Sequence, residues 1–430
     1  MKRFSKKTIK DLRDFLLLWS TQSLSQLGSS MTAFALTLWL YEKTGSSLRT
    51  ATLTICSYAP YVLTSIFAGA LTDRMDKKRS MLLCDLLAAV CTAATFVLLR
   101  TGTLAAWHLY ALNGISGLMN TVQQPASEVA MTLLIPKAYY QTASGLRSLS
   151  GSLISILTPL LATALYTLVG LNGVIAVDLV TFAVAFVTLM CFVRLPRTRG
   201  QRQETTLTLA REGLAFLRRT PLVLTLILFM AGINFVSSAF EAALPGLVLP
   251  SPGGGSGMLG AVTACGGVAM VLGSLLASLL PKPKDRVRVV YLTMLFSMST
   301  ENFVLAFARN PYFWCAAQGL GWVVVPVMSA SLDVILRSTI PVELQGRVYA
   351  CRNTLQFFTI PLGLFWGGFM VDTVCEPFLA AHGGSAVLSA LFGRGKGAGA
   401  AMVLFLLGVM GCLFCLAAGR RLKKYRFSED

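Results

Sequence analysis

The sequence predicts an all-α membrane protein of twelve transmembrane helices in two six-helix bundles, and three observations carry that expectation. Of its 430 residues, 55% are hydrophobic and only 13% charged, about half the charged share of a soluble domain. Uncharged runs repeatedly reach the roughly 20 residues that a helix needs to cross a bilayer core of about 30 Å. The formal charge of +18, from 37 Lys and Arg against 19 Asp and Glu, falls between those runs rather than on one polar face. That distribution argues against nucleic acid as a partner and for the lipid bilayer.

In chain order the spans are Phe15 to Tyr41, Thr50 to Thr72, Ser80 to Leu99, Thr101 to Ser127, Ser148 to Val169 and Val174 to Val193. Gly170, Asn172 and Gly173 supply a tight turn between the last two. The second half repeats the count with Leu222 to Leu249, Met258 to Leu280, Val287 to Phe307, Tyr312 to Leu336, Val348 to Val371 and Ala398 to Gly419. The first run is expected to stay attached, since it is too long for a signal peptide and no small-residue cleavage pattern follows it. With both termini in the cytoplasm, only six of the 37 bases fall outside: Lys43, Arg49, Arg100, Arg309, Arg394 and Lys396. The positive-inside rule therefore supports this orientation, and a gain or loss of one span would scramble it.

These spans divide the chain into a first bundle over residues 1–193, a cytoplasmic linker over 194–220 and a second bundle over 221–430. Within the linker, Leu207, Ala210, Leu214 and Leu217 share a helical face, as in an amphipathic helix on the membrane surface or an ordinary solvated linker helix. Ile135, Pro136 and Arg147 recur at the same spacing as Ile340, Pro341 and Arg352, and a proline follows inside each span, Pro159 and Pro361. Two homologous bundles that rock about a central site account for such a repeat. Ten cysteines, among them Cys56, Cys91, Cys191, Cys265 and Cys412, lie mostly in apolar runs. They read as small buried hydrophobes, with no metal site expected.

After the second span the chain reads Gly69-Ala70-Leu71-Thr72-Asp73-Arg74-Met75-Asp76-Lys77-Lys78-Arg79. A plain positive-inside turn explains the bases but neither the glycine, which lets two helices approach, nor Asp73. The pattern resembles the signature loop of the major facilitator superfamily. That resemblance implies a gating role for Gly69, Asp73, Arg74, Lys78 and Arg79, with Asp73 near the start of span eleven and Arg74 meeting Glu128. The Asp285-Arg286 pair after span eight reads as a degenerate copy. Trp19-Ser20-Thr21-Gln22, Gly28-Ser29, Thr44-Gly45-Ser46, Gln345-Gly346-Arg347-Val348 and Glu376-Pro377 are similar to the macrolide-efflux-like branch of bacterial drug exporters. Two departures stand out: Thr158-Pro159-Leu160-Leu161-Ala162 replaces the usual Gly-Pro-x-x-Gly, and span four has no buried arginine.

The resemblance places spans one, four, seven and ten around the substrate cavity. Gln22 and Gln26 with Ser29, Asn113 and Asn120 with Gln124, and Asn234 with Ser238 and Glu241 form polar stripes on three of these spans, and span ten carries Gln318 and Trp322. A polar stripe facing lipid is costly, so each faces either the cavity or a neighbouring helix. Acids inside the spans are the proton-coupling candidates. Glu241 on a cavity span comes first, then Asp178 and Glu301, while Asp85 and Asp333 near inner ends read as structural.

No GxSxG or P-loop pattern occurs, and two histidines cannot build a His-rich site, so no enzyme is expected. The resemblance implies a secondary active transporter of a bacterial plasma membrane, monomeric and without a cofactor, driven by the proton gradient. Its cargo is expected to be a macrolide-like or other hydrophobic drug, exported by alternating access. A siderophore exporter, an importer of a small solute, and a separate ATP-binding protein as partner stay open.

Overall fold

Regular structure is entirely helical among the residues that the computed structural model describes: 12–74, 76–136, 139–195, 206–281, 283–382 and 385–425. At 65–74, 206–210, 141, 342, 343, 346 and 350 only the backbone is described. The helices are α1 (Arg13–Thr44), α2 (Ser47–Arg74), α3 (Lys77–Arg100), α4 (Ala106–Leu134), α5 (Tyr140–Val187) and α6 (Thr206–Arg219). They continue with α7 (Pro221–Val248), α8 (Ser256–Leu279), α9 (Arg286–Phe307), α10 (Pro311–Val323), α11 (Val325–Thr339), α12 (Val342–Phe357) and α13 (Thr359–Phe369). After the π-helical turn Met370–Cys375 come α14 (Glu376–Ala381), α15 (Ala386–Phe392) and α16 (Ala398–Leu422).

Among the described residues eight segments are long and apolar enough to cross a membrane, and one of them, Thr142–Phe192, has 51 residues, the length of two crossings. The expected first and fourth spans are helical as α1 and α4 but lie outside that set, because Gln22, Gln26, Asn113, Asn120 and Gln124 dilute their apolar runs. With α2, the inventory is consistent with twelve crossings. The turn between spans five and six is tighter than the sequence suggests. Only Gly170 leaves helical geometry, at φ 70° and ψ −176°, and Asn172 and Gly173 already belong to the next helix.

Two compact units form. The first takes the chain to Trp39 and resumes over Cys56–Gln203; the second takes Leu40–Ile55 and the chain from Glu204 onward. In the first, Leu18, Met81, Ala126, Ala130, Leu189 and Val193 build a buried cluster from α1, α3, α4 and the π-helical turn Thr188–Phe192 with its cap, which follow α5. Small residues set its closest approaches: a Cβ on Gly117 of α4 would collide with the Ser57 carbonyl of α2, and one on Gly28 would sit 3.1 Å from the Asp178 Cα of α5.

In the second unit α13 lies against α7 through Gly363 and Gly367, where a Cβ would collide with the Phe235 and Ala239 carbonyls. On α16, Gly408 and Gly411 face Phe303 and Met298 of α9. Spans ten and eleven are each split in two. Pro326 and Pro361 lack the N–H that a continuous helix needs, and the chain re-enters helix at Val325 and Thr359. Part of the freed backbone is satisfied from neighbours, since the Gln356 carbonyl accepts from Asn234 Nδ2 at 3.1 Å and from Thr359 Oγ1 at 3.0 Å.

Linker helix α6 packs by only part of the expected leucine stripe, and the side chains of Leu207 and Ala210 lie outside the described residues. Gly213 and Leu217 are buried while Leu214 is exposed, and a Gly213 Cβ would lie 2.6 Å from the Arg347 carbonyl of α12. Glu212 pairs with Arg347. The helix is thus docked on the second unit rather than simply solvated. Of the cysteines expected to be buried, Cys91 is; Cys56, Cys265 and Cys412 are partly exposed and Cys191 is exposed. An apolar thiol loses nothing against lipid, so burial is not required of it.

Candidate functional site

Carboxylates embedded in the spans organise the polar groups of both units. In the first unit Asp85 of α3 is buried, and Gln22 Nε2 of α1 donates to its Oδ2 at 3.3 Å while Gln123 of α4 donates to its Oδ1. Asp178 of α5, 3% exposed, accepts from Ser29 Oγ of α1 at 2.9 Å. Two members of the α1 stripe are therefore spent on holding acids. Gln26 stays exposed, as do Asn120 and Gln124 on α4, whereas Asn113 turns back on its own helix, donating to the Leu109 carbonyl at 2.9 Å.

The second unit brings three expected residues together. Glu301 of α9 is 4% exposed, and Trp322 Nε1 of α10 donates to its Oε1 at 2.9 Å. With its amide turned to satisfy both neighbours, Gln318 donates to Glu301 Oε1 at 3.1 Å and accepts from Trp322 Nε1 at 3.0 Å. Gly321 makes room for this group, since a Cβ there would lie 2.7 Å from the Glu301 Cβ. Glu241 behaves differently: it is exposed on α7 and makes no side-chain hydrogen bond or ion pair among the described residues. Asn234, the other expected cavity residue of α7, serves the break between α12 and α13.

None of the three buried acids, Asp85, Asp178 and Glu301, has a basic partner among the described residues. Each is held by amide, hydroxyl or indole donors alone. Such an arrangement positions a carboxyl without neutralising it, and an ionisable group so placed in a span is a functional-site candidate by default. An apolar cleft at the turn between α9 and α10, lined by Phe303, Phe307, Arg309 and Phe313 among others, contains none of these polar residues.

In the stretch between α2 and α3 the side chains of Gly69, Asp73 and Arg74 lie outside the described residues. Around them the sequence's basic residues act as caps. Lys78 Nζ donates to the Met190 and Val193 carbonyls, 3.0 and 2.7 Å away, at the end of span six. Asp76 accepts from the backbone N–H of Arg79 at 2.9 Å and starts α3. Glu128 pairs with Arg147 at 3.3 Å. In the second unit Asp285 accepts from Arg288 N at 2.9 Å and starts α9. Asp285 thus caps α9 as Asp76 caps α3, and each is followed by a buried base, Arg286 and Lys77.

Three further acids make contacts that the sequence did not disclose: Asp85, expected to be structural, Glu376, noted only as part of a Glu-Pro pair, and Asp372, which was not singled out. Asp372 Oδ1 accepts from Ser47 N at 3.0 Å, and Glu376 Oε1 from Gly397 N at 2.7 Å, so each carboxylate meets the start of a helix, α2 and α16. The signal available for Asp85 was an isolated acid in an apolar run. For Gln123, next to the stripe residue Gln124, there was none.

Comparison with known proteins places these features in context. A family model described as Major Facilitator Superfamily matches residues 18–364. Macrolide efflux protein A of Streptococcus pyogenes is 24% identical over 368 residues, covering 84% of this chain and 90% of the relative. The multidrug efflux pump Tap of Mycolicibacterium fortuitum is 23% identical over 369 residues, covering 80% and 86%. Among solved structures, a bacterial homolog to the human lysosomal transporter Spinster, inward-facing and occupied, superposes with a TM-score of 0.70 at 14% identity, covering 97% and 98%. The POT family transporter PepTSo gives 0.70 at 13% identity, covering 96% and 98%. At such identities the structures are similar in fold alone.

Proposed function

The chain belongs to the major facilitator superfamily, a multi-pass membrane transporter rather than an enzyme, and from that premise we propose that it exports a hydrophobic, macrolide-like drug in exchange for protons. The observation that carries the proposal is the set of buried span acids held only by neutral donors. A transporter without a nucleotide-binding domain needs groups that load and release its coupling ion. Asp178 and Glu301, inside the spans and free of basic partners among the described residues, are suited to load and release a proton. Glu241, exposed on a cavity span, is the third candidate. The similarity to macrolide efflux protein A supports the cargo class.

In this reading the inner loop with Gly69, Asp73, Arg74, Lys78 and Arg79 gates the cytoplasmic side, and Gln22, Gln26, Asn113, Asn120, Asn234, Gln318 and Trp322 face or brace the cavity. The protein works as a monomer by alternating access, with both termini in the cytoplasm of a bacterium.

The test is uptake of a labelled macrolide into inverted membrane vesicles with an acidic interior. Uptake should collapse with a protonophore and be lost in Glu301→Gln, Asp178→Asn or Glu241→Gln, whichever carries the proton. Uptake indifferent to the proton gradient would remove the coupling assignment. Absence of macrolide uptake would remove the cargo and return the siderophore and small-solute alternatives.

A further inference from the structure

Helix α2 begins in the second unit and continues in the first. Leu40–Ile55 cluster with the second unit, and Cys56 onward with the first. Its first turn explains the attachment. A helix N-terminus leaves backbone N–H groups without partners inside the helix, and here they go to one nearby hydroxyl and one distant carboxylate. Ser46 Oγ accepts from Arg49 N at 3.1 Å. Asp372, just past α13, accepts from Ser47 N at 3.0 Å, from Leu48 N at 2.9 Å and from Ser46 Oγ at 2.5 Å.

The seam beside this cap is made of small residues. A Cβ on Gly368 would lie 2.6 Å from the Leu48 Cα, and one on Gly246 of α7 would collide with Ser47 Oγ. Below it, Ala51 packs with Ala242 and Leu364, flanked by Ile55 and Ile360. Such a seam permits backbone contact without side chains keyed into one another. It can therefore part with little rearrangement once the polar cap is released. Further along α2, at Ser57, the close neighbour is Gly117 of the first unit.

We propose that Asp372 is a positioning residue of the transport cycle: its carboxylate latches the first turn of α2 to the outer end of span eleven, and the outward-open state requires that latch to release. The latch rests on the reading of the chain as an alternating-access transporter. By sequence α2 belongs to the first six-span repeat and α13 to the second, so a helix tied to both cannot stay so while the repeats rock. The carboxylate suits a releasable tie. It matches the positive end of the helix dipole, and the hydrogen-bond donors to it among the described residues, Ser46 Oγ and the backbone N–H groups of Ser47 and Leu48, are neutral groups that water can replace.

Ser47 offers the probe. Its side chain is fully buried, and its hydroxyl has no hydrogen-bond partner among the described residues, so Ser47→Cys removes nothing. Maleimide labelling of Ser47→Cys in the full-length protein in membranes, corrected for the parent's native cysteines, reports how often the seam opens. Combining it with Asp372→Asn, which keeps the shape and loses the charge, should speed labelling about tenfold, the scale of one helix cap. Ser46→Ala, which spares the carboxylate and keeps the test alive should Asp372→Asn fail to accumulate, should speed it about threefold. Equal labelling rates in all backgrounds would overturn the latch. Because labelling needs no substrate, a shifted rate without macrolide flux would sink the proposed function and leave the latch standing. Proton-driven flux with unshifted labelling would do the reverse.

Discussion

At the scale of single residues, this protein uses glycines for contact and acids for order. Gly117→Ala would press its methyl into the Ser57 carbonyl, while Gly319→Ala meets nothing within 4 Å. The first should lower stability by about 1–3 kcal/mol, as overpacking does, and the second should be neutral or stabilising by up to about 1 kcal/mol through helix propensity. Thermal unfolding in detergent separates them, and equal melting temperatures would refute the packing of α4 on α2. Asp85 permits a second contrast. Asp85→Leu leaves the amides of Gln22 and Gln123 without an acceptor, a loss of about 1–3 kcal/mol, whereas Asp85→Asn keeps an acceptor oxygen and should cost less. Asp85 stood out in the sequence as a lone acid in an apolar run. Its partners did not, because a glutamine faces a cavity or an acid according to where the next helix stands.

Among the elements, linker helix α6 shows how a pattern can be right in kind and rotated in detail. Its amphipathic periodicity is legible, but the face that docks holds Gly213 and Leu217 and leaves Leu214 exposed. The docked face is chosen by the Arg347 carbonyl, to which only a glycine can come so close. The Glu212–Arg347 pair is partly exposed, so Glu212→Gln should cost under about 1 kcal/mol. Gly213→Ala should instead lift the helix and make trypsin cleavage at Arg211, Arg218 and Arg219 severalfold faster. Comparable digestion of the two variants would contradict this ordering. The split spans follow the same logic: Pro326 and Pro361 mark breaks in the sequence, yet only the fold supplies Asn234 to the Gln356 carbonyl.

For the whole molecule, the unit boundary does not coincide with the middle of the chain. A chain cut between Gln203 and Glu204 separates Leu40–Ile55 from the unit they pack with. The C-terminal fragment expressed alone should therefore be more sensitive to protease than when co-expressed with the N-terminal one. Equal sensitivity would mean that the second unit is complete without α2's first turns. Hydropathy, base distribution and loop chemistry determined by themselves that this is a helical membrane protein of the twelve-span kind. They also marked the loop between spans two and three and the acids worth watching, since each of these is a sum over neighbours in the chain. Tertiary structure alone decided that Glu301, Gln318 and Trp322 meet, that Glu128 takes Arg147 and that Asp372 starts a helix over 320 residues upstream. The physical reason is that lipid exposure is settled residue by residue within one span, whereas a hydrogen bond between spans depends on which helices pack together and how closely their small residues let them approach.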